Sequence, residues 1–129
     1  MTAPLQVRMK FPWWFPFGKV DELTPRELHD KIQHDGADLQ LIDVRSASEY
    51  AGGHIANSRN VSIETLPHRL ANLKLDPQRL VIAICLSGHR SVPAYRLFKQ
   101  AGFDEVYQLA GGMMSWRRDR MPTVKDEAR

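Results

Sequence analysis

Short apolar stretches alternate with amphipathic ones along this chain of 129 residues. Residues 80–84 are apolar at every position, which is typical of a central parallel strand covered on both faces. Residues 39–44 and 106–109 predict two further buried strands, and residues 60–62 predict a short one. This alternation predicts an α/β fold with a mainly parallel central sheet and helices on both of its faces.

Capping signals and glycines mark the expected helices. Thr24 with Glu27 predicts a capping box and a helix that runs to about residue 34 and ends at Gly36. Ser46 with Glu49 predicts a second capping box and a short helix. Apolar spacing predicts three more helices, over residues 63–73, 91–101 and 113–118.

The two ends of the chain differ from this pattern, so we place the domain at residues 20–120. Residues 1–19 form an N-terminal arm whose residues 11–17 are mostly aromatic and contain two prolines, which excludes a helix interior. The arm either packs across its own domain or binds a partner, a second subunit or a membrane surface. Residues 121–129 are expected to form a polar, frayed tail.

Composition and charge exclude several classes of function. No apolar run approaches the roughly 20 residues of a transmembrane segment, so we expect a cytoplasmic protein. The net charge is +3 and charges of both signs are interspersed, which argues against nucleic-acid binding and favours a small anionic substrate. One cysteine and scattered histidines give neither a disulfide nor a metal site.

The single cysteine, Cys85, directly follows the most apolar strand and precedes a predicted helix. Ligands of open α/β sheets bind beyond the carboxyl ends of the strands. Gly88 permits a tight turn whose backbone N–H groups form an anion nest, and the helix N-terminus and Arg90 add positive charge. We therefore expect a thiol that ionises readily, rather than an inert buried one. His89 is either a base or a solvated loop residue.

Charged residues follow the preceding predicted strand in the chain. Asp43 and Arg45 lie at its end, and Glu49 lies at the start of the next helix. We expect these three residues to form a carboxylate–guanidinium network that braces the cysteine loop.

Three ordered motifs resemble the rhodanese sulfurtransferase family. The segment from Cys85 to Ser91 resembles the family's active-site loop, C-x-x-G-x-R-S. Residues 41–45, 49–50 and 53–55 resemble its upstream signature, and residues 109–116 resemble its closing G-G-x-x-x-W element. Gly111, Gly112 and Trp116 of that element are interpreted as turn and core residues. The resemblance spans about residues 23–118.

The resemblance implies transfer of a sulfane sulfur from thiosulfate or a related persulfide to a thiol or cyanide. The acceptor could also be a thioredoxin-like or sulfur-carrier protein. Cys85 would be the nucleophile that carries the sulfur as a persulfide, and Arg90 would orient the anionic donor. The resemblance implies no metal or organic cofactor. The implied substrate-binding residues are those of the loop, namely Leu86, Ser87, Gly88, His89 and Arg90.

Two alternatives remain at this stage. One is a phosphatase or arsenate reductase on the same scaffold, whose loop is longer by one residue than the six residues from Cys85 to Arg90. The other is a non-catalytic interaction domain, although inactive relatives usually lack the cysteine. The six-residue length of the loop favours binding of a single sulfur over binding of a tetrahedral phosphate.

Overall fold

The structure, a computed structural model, describes residues 19–125 and contains one parallel sheet. The aromatic cluster at residues 11–17 lies outside the described residues. The sheet has five strands in the order β1-β5-β4-β2-β3, and all of its neighbouring pairs are parallel. The strands are β1 Glu22–Leu23, β2 Gln40–Asp43, β3 Arg59–Asn60, β4 Val81–Ile84 and β5 Val106–Leu109.

The two predicted capping boxes are confirmed. In each box the first residue accepts from the N–H of the glutamate three positions later, and the glutamate accepts from the first residue's own N–H. The boxes start the first two helices, at Thr24 with Glu27 and at Ser46 with Glu49. The helices are α1 Pro25–Asp35, α2 Ala47–Ala51, α3 Leu66–Arg69, α4 Ser91–Gln100 and α5 Gly112–Arg118, with 3₁₀ turns at Gly36–Asp38 and Leu70–Leu73.

Two apolar clusters cover opposite faces of the sheet, which confirms the expected α/β architecture. All four residues of β4 are buried, and successive residues alternate between the two clusters. Side chains from α3 and α4 build the first cluster together with Val81 and Ala83. Side chains from α1 and α5 build the second together with Ile82 and Ile84. Residues adjoining the carboxyl end of β4 are thereby held by packing on both sides.

Several local expectations were wrong. The helix predicted over residues 63–73 begins at Leu66, because Pro67 is tolerated only in a first turn, and it continues as a 3₁₀ turn. The first helix does end at Gly36 as expected, and Gly36 leads in a right-handed conformation into a 3₁₀ turn that was not predicted. The short strand expected at residues 60–62 lies at Arg59–Asn60. The edge strand β1 was not predicted.

The beginning of the expected frayed tail is paired with the domain. Val124 and His54 exchange two backbone hydrogen bonds of 2.8 Å. The Trp116 indole N–H donates to the Pro122 carbonyl at 2.8 Å. Residues 122–124 are therefore fixed by main-chain and side-chain contacts that the polar composition of the tail did not indicate. Among residues 19–125, no helix is long and apolar enough to cross a bilayer.

Candidate active site

The site is built where β2 and β4 end side by side. Ile84 pairs with Asp43 in the parallel register, so the residues following each strand meet at one edge of the sheet. Cys85 follows β4 directly and is fully buried. The loop then runs to Arg90, which occupies the N-cap position of α4, a helix of ten residues. The strand-to-helix geometry expected for the loop is therefore present.

Among residues 19–125, two polar groups lie within hydrogen-bonding distance of the cysteine sulfur. The Gly88 N–H donates to Cys85 Sγ at 2.8 Å, and Ser91 Oγ lies 3.4 Å from the same atom. Gly88 reaches this position with a backbone φ of +100°, which residues other than glycine rarely adopt. The loop thus directs a backbone donor at Sγ, where it stabilises negative charge on sulfur.

The N-terminus of α5 holds the outside of the loop. The Met113 N–H donates to the Cys85 carbonyl at 2.8 Å, and the Met114 N–H donates to the Leu86 carbonyl at 2.9 Å. Because the carbonyl and N–H of one peptide plane point in opposite directions, the N–H groups of Leu86 and Ser87 point away from α5. Gly111 and Gly112 were expected to form a turn. They also bring the start of α5 against the loop and thereby position it.

Gly112 allows this close approach. It has a φ of +61°, and a Cβ placed on it would overlap the Cys85 carbonyl oxygen and the backbone carbonyl of Leu86. The sequence motif contained this signal, because adjacent glycines before a helix indicate either a turn or a close backbone contact.

Arg90, at the end of the loop, forms an ion pair with Glu49 of α2. Its Nη1 donates to Oε1 at 2.7 Å and its Nη2 donates to Oε2 at 2.8 Å, a bidentate pair. The hydrogen bond from Arg90 is the main cause that lowers the pKa of Glu49 to about 2. The same bond raises the pKa of Arg90, and the negative charge of Glu64 adds to this effect. The positive charge expected at the loop is therefore largely compensated.

Asp43 and Arg45 form a second pair that is almost completely buried. Arg45 Nη2 and Asp43 Oδ2 are 2.8 Å apart, and the two side chains are 1% and 0% exposed. Arg45 also donates to the Gly53 carbonyl at 2.8 Å and to the Glu49 carbonyl at 3.3 Å. The structure thus brings Asp43, Arg45 and Glu49 together. Arg45 connects the end of β2 with a carbonyl inside α2 and with one just after that helix.

The other predicted loop residues are more exposed. Ser87 and His89 are exposed, and His89 Nδ1 lies 3.2 Å from Ser87 Oγ. Leu86 is half-buried and contributes its carbonyl to the contact with α5. Within residues 19–125, no group of three or more His, Cys, Asp or Glu side chains could hold a metal ion.

Sequence reasoning missed a polar chain that leads from the sulfur to the sheet edge. Ser91 Oγ donates to Gln108 Oε1 at 2.5 Å, and Gln108 Nε2 donates to Glu22 Oε2 at 2.7 Å. The available signal was Gln108, a polar residue inside an otherwise apolar strand. Its partners could not be read from the sequence, because Glu22 lies 86 positions away.

Together these features define an α/β domain with a buried thiol at the end of a central parallel strand, inside a turn that leads into a helix. The rhodanese-like domain family matches residues 24–119, and the chain belongs to that family. A sulfurtransferase of Allochromatium vinosum is 32% identical over 108 residues, which cover 84% of this chain and 98% of that protein. The thiosulfate sulfurtransferase GlpE of Stutzerimonas stutzeri is 38% identical over 95 residues, covering 74% of this chain and 83% of that protein.

Solved structures share the fold. A rhodanese-related protein from Thermoplasma volcanium matches with a TM-score of 0.73 and 27% identity, covering 82% of this chain and 99% of that one. A Rhodopseudomonas palustris protein of unknown function, described as a possible tyrosine phosphatase, matches with a TM-score of 0.69 and 21% identity. That second match covers 81% of this chain and 85% of the other, and it shows the fold alone.

Proposed function

We propose that this protein transfers a sulfane sulfur from thiosulfate or a related persulfide donor to a thiol or cyanide, through a persulfide on Cys85. The observation that carries the proposal is the Gly88 N–H directed at Cys85 Sγ at 2.8 Å, at the carboxyl end of the central strand. A donor in this position favours the anionic sulfur over the neutral thiol. Sulfurtransferase relatives at 32% and 38% identity support the same reaction class.

The reaction we propose has two balanced steps. The Cys85 thiolate attacks the outer sulfur of thiosulfate, the Sγ–S bond forms, and the S–S bond breaks with its electron pair leaving on sulfite. The acceptor thiolate or cyanide then attacks the terminal sulfur of the persulfide, and the electron pair returns to Cys85. Since the chain contains one cysteine, the persulfide has no internal thiol to resolve it and must meet an external acceptor.

The loop residues take distinct parts in this proposal. The amides that α5 turns away from itself, together with that of Gly88, stabilise the terminal sulfur anion once it has formed. Arg90 orients the donor only in competition with Glu49, which holds both of its terminal nitrogens. Asp43 and Arg45 act indirectly, because they fix the α2 start from which Glu49 reaches Arg90.

The proposal extends to the acceptor and to the location of the protein. We propose a cytoplasmic protein whose acceptor is a small thiol, or the thiol of a thioredoxin-like or sulfur-carrier protein. Glu49 compensates the positive charge of Arg90 at the end of the loop, which supports an acceptor that is not strongly anionic.

A phosphatase or arsenate reductase is the second candidate, because the loop places an arginine and a cysteine around backbone donors. The six residues from Cys85 to Arg90 argue against it, since a tetrahedral phosphate needs a wider ring of amides. The bidentate engagement of Arg90 by Glu49 argues the same way, because a bound phosphate would need that guanidinium.

Steady-state kinetics test the proposal. Thiocyanate formation measured at several thiosulfate and cyanide concentrations is expected to give the parallel double-reciprocal lines of a ping-pong reaction. Cys85→Ser is expected to abolish turnover, with an unchanged circular dichroism spectrum as the control for folding. Efficient hydrolysis of an aryl phosphate by the wild type, without thiocyanate formation, would replace this function with the second candidate.

A further inference from the structure

A continuous chain of side chains connects the cysteine sulfur with the edge of the sheet. It leads from Cys85 Sγ to Ser91 at 3.4 Å, then to Gln108 on β5 at 2.5 Å, and then to Glu22 on β1 at 2.7 Å. Ser91 is fully buried and Gln108 is 5% exposed, whereas Glu22 is exposed. An accessible carboxylate therefore reaches the thiol through two buried polar groups.

The directions of the hydrogen bonds in this chain are fixed by its outer end. An ionised carboxylate only accepts, so the Gln108 amide must turn its NH₂ group toward Glu22. The Gln108 side-chain oxygen then faces Ser91 and accepts a hydrogen bond from its hydroxyl, which has only one proton to donate. Ser91 Oγ consequently offers only lone pairs to Cys85 Sγ.

We propose that Glu22 is a positioning residue for the sulfur chemistry of Cys85, because it sets the direction of the Ser91 hydroxyl through Gln108. An accepting Ser91 oxygen stabilises the protonated thiol and disfavours the bare thiolate at the same distance. This opposes the Gly88 N–H, which favours the thiolate. The resting thiol is therefore held by two groups of opposite preference, and Glu22 controls one of them.

The consequence for sulfur transfer rests on the proposed function. The bare thiolate is the leaving group when the persulfide gives its sulfur to an acceptor. A chain that disfavours this thiolate shifts the balance toward the loaded persulfide, so the protein keeps its sulfur until an effective acceptor arrives. Glu22 then influences how long the persulfide persists without touching it.

The other charged groups around the thiol belong to different elements. Arg90 with its partner Glu49 faces it from the loop and α2, and Glu64 adds negative charge near Arg90. The Asp43–Arg45 pair lies at the end of the neighbouring strand. None of these five side chains is altered by a change at Glu22, which lies across the sheet on β1.

Glu22→Gln is the decisive substitution. A glutamine at position 22 can either accept from or donate to Gln108, so it no longer fixes the direction of the Gln108 amide. When Cys85 Sγ is a thiolate, the rotated amide is favoured, because Gln108 Oε1 then accepts from the new amide, the Gln108 NH₂ donates to Ser91 and the Ser91 proton points at Sγ. The thiolate then gains a donor. Asp21→Asn is the matched control, because it removes the same charge one residue away while Asp21 bonds to the Tyr95 hydroxyl outside this chain.

The measurement is the rate of iodoacetamide alkylation of Cys85 against pH, in the full chain without any sulfur donor. We expect Glu22→Gln to move the midpoint of this profile to lower pH by about half a unit, roughly a threefold change in thiolate fraction. Asp21→Asn is expected to move it clearly less. The difference between the two is expected to vanish when both are combined with Ser91→Ala.

Equal profiles for Glu22→Gln and Asp21→Asn would overturn the inference, as would a difference that persists without the Ser91 hydroxyl. Both variants lie at exposed positions, so folding is retained. Alkylation requires no sulfur transfer, so a profile that shifts as expected in a protein without transfer activity contradicts the proposed function and leaves the role of Glu22 intact.

Discussion

Gly112→Ala tests how the site is positioned. Gly112 lies at the start of α5, where the next two N–H groups hold the Cys85 and Leu86 carbonyls. An added Cβ would lie 2.5 Å from the Leu86 carbonyl carbon. Because ordinary contact begins near 3.4 Å, the loop backbone must move by nearly 1 Å to admit the methyl group.

Two separate costs follow from this geometry. An alanine at a φ of +61° costs about 1–2 kcal/mol of the free energy of unfolding. The displaced loop no longer directs the Gly88 N–H at Sγ, and a misplacement on the order of 1 Å lowers a reaction rate roughly 100-fold. We therefore expect kcat/KM for thiocyanate formation to fall about 100-fold while the protein stays folded.

Gly102→Ala is the matched control for the backbone cost. Gly102 has a φ of +95°, and a Cβ placed there meets no atom within 4 Å. Urea unfolding is expected to show a loss of about 1–2 kcal/mol, with kcat/KM unchanged within about twofold. A Gly112→Ala variant as active as Gly102→Ala would refute the role of α5 in holding the loop.

Further predictions concern the loop's charge and its size. Glu49→Gln is expected to free Arg90 and to raise kcat/KM for the dianion thiosulfate more than for glutathione persulfide, whereas Glu64→Gln, which makes no bidentate bond, changes both little. Since Glu49 has its pKa lowered to about 2, its pair with Arg90 stabilises the fold fully above about pH 4.5 and is lost as the pH falls toward 2. Solvent screening limits this to about 1 kcal/mol, and the acid-induced loss measured by urea unfolding is expected to shrink in Arg90→Ala. One glycine inserted after Ser87 is expected to lower sulfur transfer, and transfer at the wild-type rate would contradict the fit of a six-residue loop.

The parts of the fold that depend on local chemistry were predictable. The uninterrupted apolar residues of β4 identify a strand covered on both faces, and two capping boxes locate the first helices. The Cys85 loop could be placed because a buried strand ends there and a helix follows. Each of these signals lies within about ten residues of sequence.

The parts that depend on distant partners were not predictable. The edge strand β1 has two residues and exists because it pairs with β5, so no local pattern marks it. The charge of Arg90 is evident from the sequence, but its compensation by Glu49 requires two segments 41 positions apart to meet. Ser91, Gln108 and Glu22 likewise come from three separate elements.

A persulfide on Cys85 is tested most directly by the intact mass of the protein after incubation with thiosulfate. We expect a gain of about 32 Da, one sulfur atom carried on Cys85, and its complete removal by cyanide with one thiocyanate formed per protein. Cys85→Ser is predicted to show no gain. Thiocyanate turnover without any mass gain, or the same gain in Cys85→Ser, would contradict a persulfide on Cys85.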